Sequence, residues 1–273
     1  MEKYFVLSNG ERIPVLAYGT WLIDNSIADR CVKDAIEVGF RHIDTAQAYG
    51  NEEGVGKGIK LSNMKREELY ITTKVQAEIK TYEGAKKSID ESLKRLGLDY
   101  VDLILIHCPQ PWREFRGPKR YFEENRDVWR ALEETYKEGK TKAIGVSNFL
   151  IDDIENITDV CQIKPMVNQV LCHIGKTPVE LIKYCKDHDI VFESYSPIAH
   201  GKALENEEIA KMAEKYGVNV AQLCIKYTLQ LGTVSIPKAT SRDHIESDFR
   251  LDFEISKEDM EKLLEVNSIS CRE

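Results

Sequence analysis

Four ionisable side chains sit where apolar runs give way to loops. In the stretch GFRHIDTAQAYGNEEGVG, from Gly39 to Gly56, the apolar residues Phe40 to Ile43 read as the end of a buried strand. Asp44 stands at that strand's end, and Tyr49 follows in the loop Thr45 to Asn51. Tyr70-Ile-Thr-Thr then ends in Lys74, and Val101-Asp-Leu-Ile-Leu-Ile ends in His107. A phenol ordinarily ionises near pH ~10, and a neighbouring ammonium favours its charged form. A carboxylate, an ammonium, a phenol and an imidazole brought to one place could therefore move a proton and stabilise a developing negative charge. Alone, each is more often structural; four at successive strand ends suggest one shared site.

Such a site needs elements that bring distant strand ends together. Eight short apolar runs recur along the chain: Val15–Tyr18, Arg41–Ile43, Leu69–Thr73, Val101–Ile106, Ala143–Val146, Met166–Asn168, Ile190–Glu193 and Thr233–Ile236. Amphipathic segments lie between them, among them Ala28–Val38, Gly84–Leu96, Asp127–Lys137, Val179–Asp187 and Ala221–Leu231. Glycines at 39, 97, 139 and 232 suit helix ends. Before the first run, Asn9-Gly10 between Phe5–Ser8 and Glu11–Ile13 predicts a β-hairpin.

Eight β-α units in one chain of 273 residues favour an α/β fold, a single (β/α)8 TIM barrel over residues 1–273 with an N-terminal hairpin. An open doubly wound sheet is the alternative. It usually carries a glycine-rich phosphate turn after its first strand, but here that strand leads into Gly19-Thr20-Trp21. Gly54-Val-Gly-Lys-Gly58 lacks the full spacing and falls inside a helical pattern. Active sites of barrels form at the C-terminal strand ends, and the four ionisable residues fall there.

The pattern closely resembles the aldo-keto reductase family. The resemblance rests on Gly39 to Gly56, on Lys74 and His107, and on Ala143-Ile-Gly-Val-Ser-Asn-Phe149, Val167-Asn-Gln169, Glu193-Ser-Tyr-Ser-Pro197 and Ile236-Pro-Lys238. It implies a catalytic tetrad of Asp44, Tyr49, Lys74 and His107. Reduction of a carbonyl by hydride leaves charge on oxygen. Tyr49, acidified by Lys74, would protonate that oxygen; Asp44 would orient the ammonium, and His107 would position the substrate. Histidine at 107, rather than glutamate, favours carbonyl reduction over reduction of steroid double bonds.

No side chain supplies hydride, so the resemblance implies a nicotinamide cofactor. Gly19 and Thr20 would border it. Ser147, Asn148 and Gln169 would hold its carboxamide, Tyr195 would stack on its ring, and Ser196, Pro197 and Ile198 would line its pyrophosphate. At the adenine end Lys238 fits a 2′-phosphate. Ala239 stands where the family usually has serine, His244 where it has arginine and Asp248 where it has asparagine; Arg242 adds a compensating charge. NADPH is expected, with NADH the alternative. Trp21 and the long segment Cys108 to Asn125, with Trp112, Phe115, Tyr121 and Phe122, are expected to wall the substrate pocket, and Cys108 to pack. The short tail beyond Asn267 implies an open mouth and broad carbonyl acceptance.

Composition narrows the rest. A net charge of −8 disfavours nonspecific binding to nucleic acid or anionic membranes. No apolar run approaches the ~20 residues of a membrane span, and no secretory signal is visible, so a cytoplasmic protein is expected. Seven cysteines, at 31, 108, 161, 172, 185, 224 and 271, form no CxxC and read as reduced thiols. The six histidines form no metal motif, and His42, alternating with Ile43, is expected to face outward. The expected partner is a small carbonyl compound, and the chain is expected to act as a monomer, with a dimer as the alternative. A non-catalytic NAD(P)H-binding sensor on the same fold is the competing function, disfavoured by the complete tetrad.

Overall fold

A computed structural model describes residues 3–266 and residue 269. Cys271 and, apart from residue 269, the rest of the short C-terminal tail lie outside the described residues. Strands β1 (Tyr4–Val6) and β2 (Arg12–Pro14) pair antiparallel, with Phe5 opposite Ile13. Gly10 takes the left-handed conformation the turn needs, at φ +90°. Asn9 Nδ2 donates to the Lys142 carbonyl at 2.9 Å, which pins the hairpin near the strands' N-terminal ends.

The chain then alternates. β3 (Ala17–Gly19) leads to α1 (Asn25–Val38), β4 (His42–Asp44) to α2 (Glu52–Leu61), and β5 (Tyr70–Val75) to α3 (Tyr82–Leu96). β6 (Val101–Ile106) leads to α4 (Phe122–Lys137), β7 (Thr141–Ser147) to α5 (Ile151–Thr158), and β8 (Val167–Leu171) to α6 (Val179–Asp187). β9 (Val191–Tyr195) is followed by α7 (Glu207–Lys215) and α8 (Val220–Gln230), and β10 (Val234–Ile236) by α9 (Arg242–Phe249) and α10 (Lys257–Leu264). Strands β3 to β10 pair in chain order and in parallel. A parallel bridge between Leu16 and Ser235, and the Gly19 amide donating to the Pro237 carbonyl at 2.8 Å, bring first and last strands together. The result is a nearly closed (β/α)8 barrel with an N-terminal hairpin. β5 and β6 are buried at every residue, as expected for parallel strands between a packed interior and a helical layer.

The glycines of α2 serve packing. A Cβ on Gly54 would come within 2.6 Å of the Asn25 carbonyl, on Gly58 within 2.6 Å of the Asp29 carbonyl, and on Gly56 within 2.2 Å of the Leu96 carbonyl. They let α2 settle against α1 and the end of α3. Helix α4 starts at Phe122, five residues before the periodicity predicts, so Tyr121 and Phe122 root a helix instead of ending a loop.

Candidate active site

Lys74 is fully buried on β5. Its ammonium donates to Asp44 Oδ1 and Oδ2 at 2.7 and 2.8 Å, to the Thr45 carbonyl at 2.9 Å, and reaches the Tyr49 hydroxyl at 3.3 Å. Burial works against this ammonium, but Asp44 and Tyr49 outweigh it and hold the group above its ordinary value. Tyr49 closes a short 3-10 turn, Gln47–Tyr49, that Gly50 ends in the left-handed conformation. Gln47 anchors this turn: Nε2 donates to the Ser88 carbonyl and Ser92 hydroxyl at 3.0 Å, and Oε1 accepts from the Gln76 amide at 3.0 Å. The phenol is not acidified as expected. Burial pushes it above its ordinary value, Lys74 pulls it back and Asp44 adds to the rise.

His107, one residue past β6, stands edge-on to Tyr49, with ring centres 5.6 Å apart, and to Trp112 at 5.2 Å. Burial and then the charge of Lys74 hold it well below its ordinary value, so the imidazole is neutral near pH 7. Its Nδ1 is buried without a hydrogen-bond partner. Asn148, left-handed at φ 63°, donates from Nδ2 to the His107 carbonyl at 3.0 Å and accepts from the Tyr195 hydroxyl at 2.9 Å. The Ser147 hydroxyl donates to the Gln169 carbonyl at 2.8 Å.

A cavity of about 1060 Å3 runs over these groups. Asp44, Tyr49, His107 and Trp112 line one end, and Trp21, Ser147, Asn148, Gln169 and Tyr195 line the floor and walls. It continues past Gly19 and Ser196, Pro197 and Ile198 to Lys238, Ala239, His244 and Asp248. Trp21 meets His200 edge-on at 4.9 Å across this groove. Leu204, Asn219, Thr240 and Ser247 also line it, without a sequence signal, because they come from the tops of helices and from a loop.

Several predicted residues lie elsewhere. Thr20 is buried, its hydroxyl donating to the Asp44 carbonyl at 3.0 Å, so it braces the strand end. Arg242 is held outside the groove by Asp34, Glu37 and Glu246 at 3.1, 2.7 and 3.3 Å. Phe115 packs edge-on behind Trp112 at 5.5 Å. Tyr121 accepts a 2.9 Å bond from Lys119, and Phe122 lies under Arg120, both at the root of α4. Asp248 brings less negative charge than expected, since burial pushes its carboxyl up to about 7. Cys108 is buried, and burial pushes its thiol up to about 12, in keeping with a packing role.

His42 faces inward, not outward, because it shares a strand face with Asp44. Its Nε2 lies 2.9 Å from the Thr72 hydroxyl. Beside it Glu193, fully buried on β9, is a residue that sequence reasoning missed as anything more than part of a motif. An acid closing the otherwise apolar run Ile190–Phe192 was the available signal.

A sequence model described as the Aldo/keto reductase family matches residues 15–268. A glyoxal reductase of Bacillus subtilis is 45% identical over 96% of this chain and 91% of its own length. A 9,11-endoperoxide prostaglandin H2 reductase of Trypanosoma cruzi is 39% identical over 96% of this chain and 90% of its own. Among solved structures, an aldo-keto reductase from a Medee basin deep-sea metagenome library superposes with a TM-score of 0.90 at 39% identity, covering 97% of this chain and 95% of that one. An aldo/keto reductase from Brucella melitensis gives 0.89 at 37%, covering 97% and 99%. With barrel, strand-end site and relatives in agreement along nearly its whole length, the chain belongs to the aldo/keto reductase family, enzymes of carbonyl oxidoreduction.

Proposed function

We propose that this protein reduces aldehydes and ketones to alcohols with NADPH, and that Tyr49 is the general acid. The observation that carries this reading is the buried Lys74 ammonium, bonded to both oxygens of Asp44 and standing 3.3 Å from the Tyr49 hydroxyl. Bound NADPH supplies the hydride. The groove fits it: Gln169 gives both amide hydrogens to Asp44 and Glu193, leaving its carbonyl to accept from a carboxamide, and Lys238 lies at the far end for a phosphate.

Tyr49 then gives its proton to the carbonyl oxygen as charge develops there. Lys74 already faces the phenol, so the resulting phenolate is met without rearrangement. This stabilisation acts in the transition state, and so it does not require a phenol already acidified in the empty site. His107 is neutral, and its ring lines the cavity, where it can engage the substrate oxygen. The cavity lined by Trp21 and Trp112 has room for small aldehydes and dicarbonyls, a class that the glyoxal reductase relative makes the first to try.

Tyr49→Phe tests the acid. It should bind NADPH as before, followed by fluorescence, while carbonyl reduction falls by about 10²–10⁴-fold. Retention of more than about a tenth of the natural turnover would remove Tyr49 from this role.

A further inference from the structure

Below the Tyr49 relay, the barrel interior holds a second carboxyl. Oε2 of Glu193 accepts a 2.8 Å bond from Gln169 Nε2, and the same nitrogen donates to Asp44 Oδ2 at 2.8 Å. One amide thus ties two carboxyl groups together. The other oxygen, Oε1, is buried with no hydrogen-bond partner and stands 3.8 Å from His42 Nε2. His42 offers it no charge. Nδ1 of that ring lies 3.4 Å from the Pro14 carbonyl, which can only accept, so the proton sits on Nδ1 and Nε2 accepts from Thr72. Burial holds this imidazole to about 3.

The groups facing Glu193 come from three strands. His42 and Asp44 belong to β4, Tyr70 and Lys74 to β5, and Gln169 to β8, while β10, Val234–Ile236, brings no titratable side chain. The Tyr70 phenol is buried without a partner and stays protonated. Asp102, beyond Tyr70, is paired with Arg66 and Lys142. Lys74 is therefore the cation available, and it is already bonded to Asp44.

We propose that Glu193 is a positioning residue of the reaction: uncharged, it fixes the Gln169 amide against Asp44 and leaves the Asp44–Lys74 pair balanced beneath Tyr49, whereas its ionisation adds a negative charge that opposes the phenolate. This rests on the reading of Tyr49 as the acid. Burial first, then Asp44, push the Glu193 carboxyl up to about 8, with Gln169 and Lys74 pulling it back. The proton it loses goes to solvent, and the relay keeps its covalent structure. Reduction should therefore slow as the pH rises through that range.

The test follows kcat for a small aldehyde at saturating NADPH from about pH 6 to 10. In Glu193→Gln, which keeps an acceptor for Gln169 without a charge, the ratio of kcat at high pH to kcat at low pH should rise at least about threefold over the natural protein. Glu193→Ala frees the Gln169 amide and should lower kcat at low pH by about tenfold, with Gln at 193 restoring most of it. A readout without turnover accompanies these. The Tm of Glu193→Gln relative to the natural protein should climb between about pH 4.5 and 8, because the fold prefers the protonated acid and loses stability as that proton is drawn away.

Coincident normalised profiles, a Tm difference independent of pH, or a Gln variant slower than the Ala variant at low pH each overturns the proposal. If Glu193→Ala does not fold, the Gln profile and Tm decide. Tyr49→Phe run alongside separates the two readings. An active Tyr49→Phe overturns both, whereas an inactive one with coincident Glu193→Gln profiles overturns the role of Glu193 alone.

Discussion

At the scale of the residue, charge already committed to a neighbour is the deciding consideration. Arg242 carries the right charge for a phosphate but is occupied by three carboxylates, so Lys238 is left as the groove's basic group at the adenine end beside His244. Lys238→Ala should weaken NADPH binding by about one to two decades, the worth of a charge-assisted hydrogen bond, and change NADH binding by less than about threefold. Fluorescence titration with both cofactors checks this, and an equal loss for both would move the phosphate elsewhere. Asp44, Lys74 and His107 stood out because each ends an apolar run, and Tyr49 because it hangs in the loop just past one. Glu193 and Gln47 were not. Their importance lies in hydrogen bonds to residues 24 and 41 positions away, and spacing along one strand carries no trace of such partners.

At the scale of the element, the eight strands and the barrel follow from short apolar runs alternating with amphipathic helices, each run buried on both faces. Boundaries were less legible. Helix α4 begins earlier than its apolar stripe because its first turn is secured by tertiary contacts: Asn125 Nδ2 donates to the Pro109 carbonyl, and Lys80 donates to both Asn125 and the Cys108 carbonyl. That shortens the segment after His107 and leaves Trp112 as the aromatic of the segment lining the cavity, backed by Phe115. Trp112→Ala should raise KM for aldehydes and reorder a panel of them, while the NADPH dissociation constant moves less than about twofold, since the ring walls the substrate end only. Kinetics over the panel together with cofactor titration provides the check; an unchanged ranking with weakened NADPH would assign the ring to the cofactor.

At the scale of the whole molecule, a barrel with ionisable groups in its centre has a stability that depends on pH. His42 is fully buried and neutral, and burial lowers its pKa from 6.5 to about 3. A depressed folded value means the stability is complete above the unfolded value and is lost as the pH falls through the folded one. The His42 contribution to Tm should therefore be lost between about pH 6.5 and 3, opposed above about pH 4.5 by the gain from Glu193, and His42→Gln, though less stable near neutrality, should lose less Tm than the natural protein across that window. Parallel slopes in thermal melts would show that other groups govern the acid limb. The seam of the barrel bears on a different matter, the making of the protein. The Tyr18 hydroxyl donates to the Ala239 carbonyl at 2.5 Å across 221 residues of sequence, and β3 meets β10 beside that bond. During synthesis the first strand of the ring therefore waits with one open edge while nearly all the rest of the chain emerges, and unpaired edges invite wrong partners. The groove has Gly19 on one bank and Pro237 to Ala239 on the other, so it forms only when that last strand arrives. A chain cut short before β10 should therefore lack that bank of the groove even with Asp44, Tyr49, Lys74 and His107 already made.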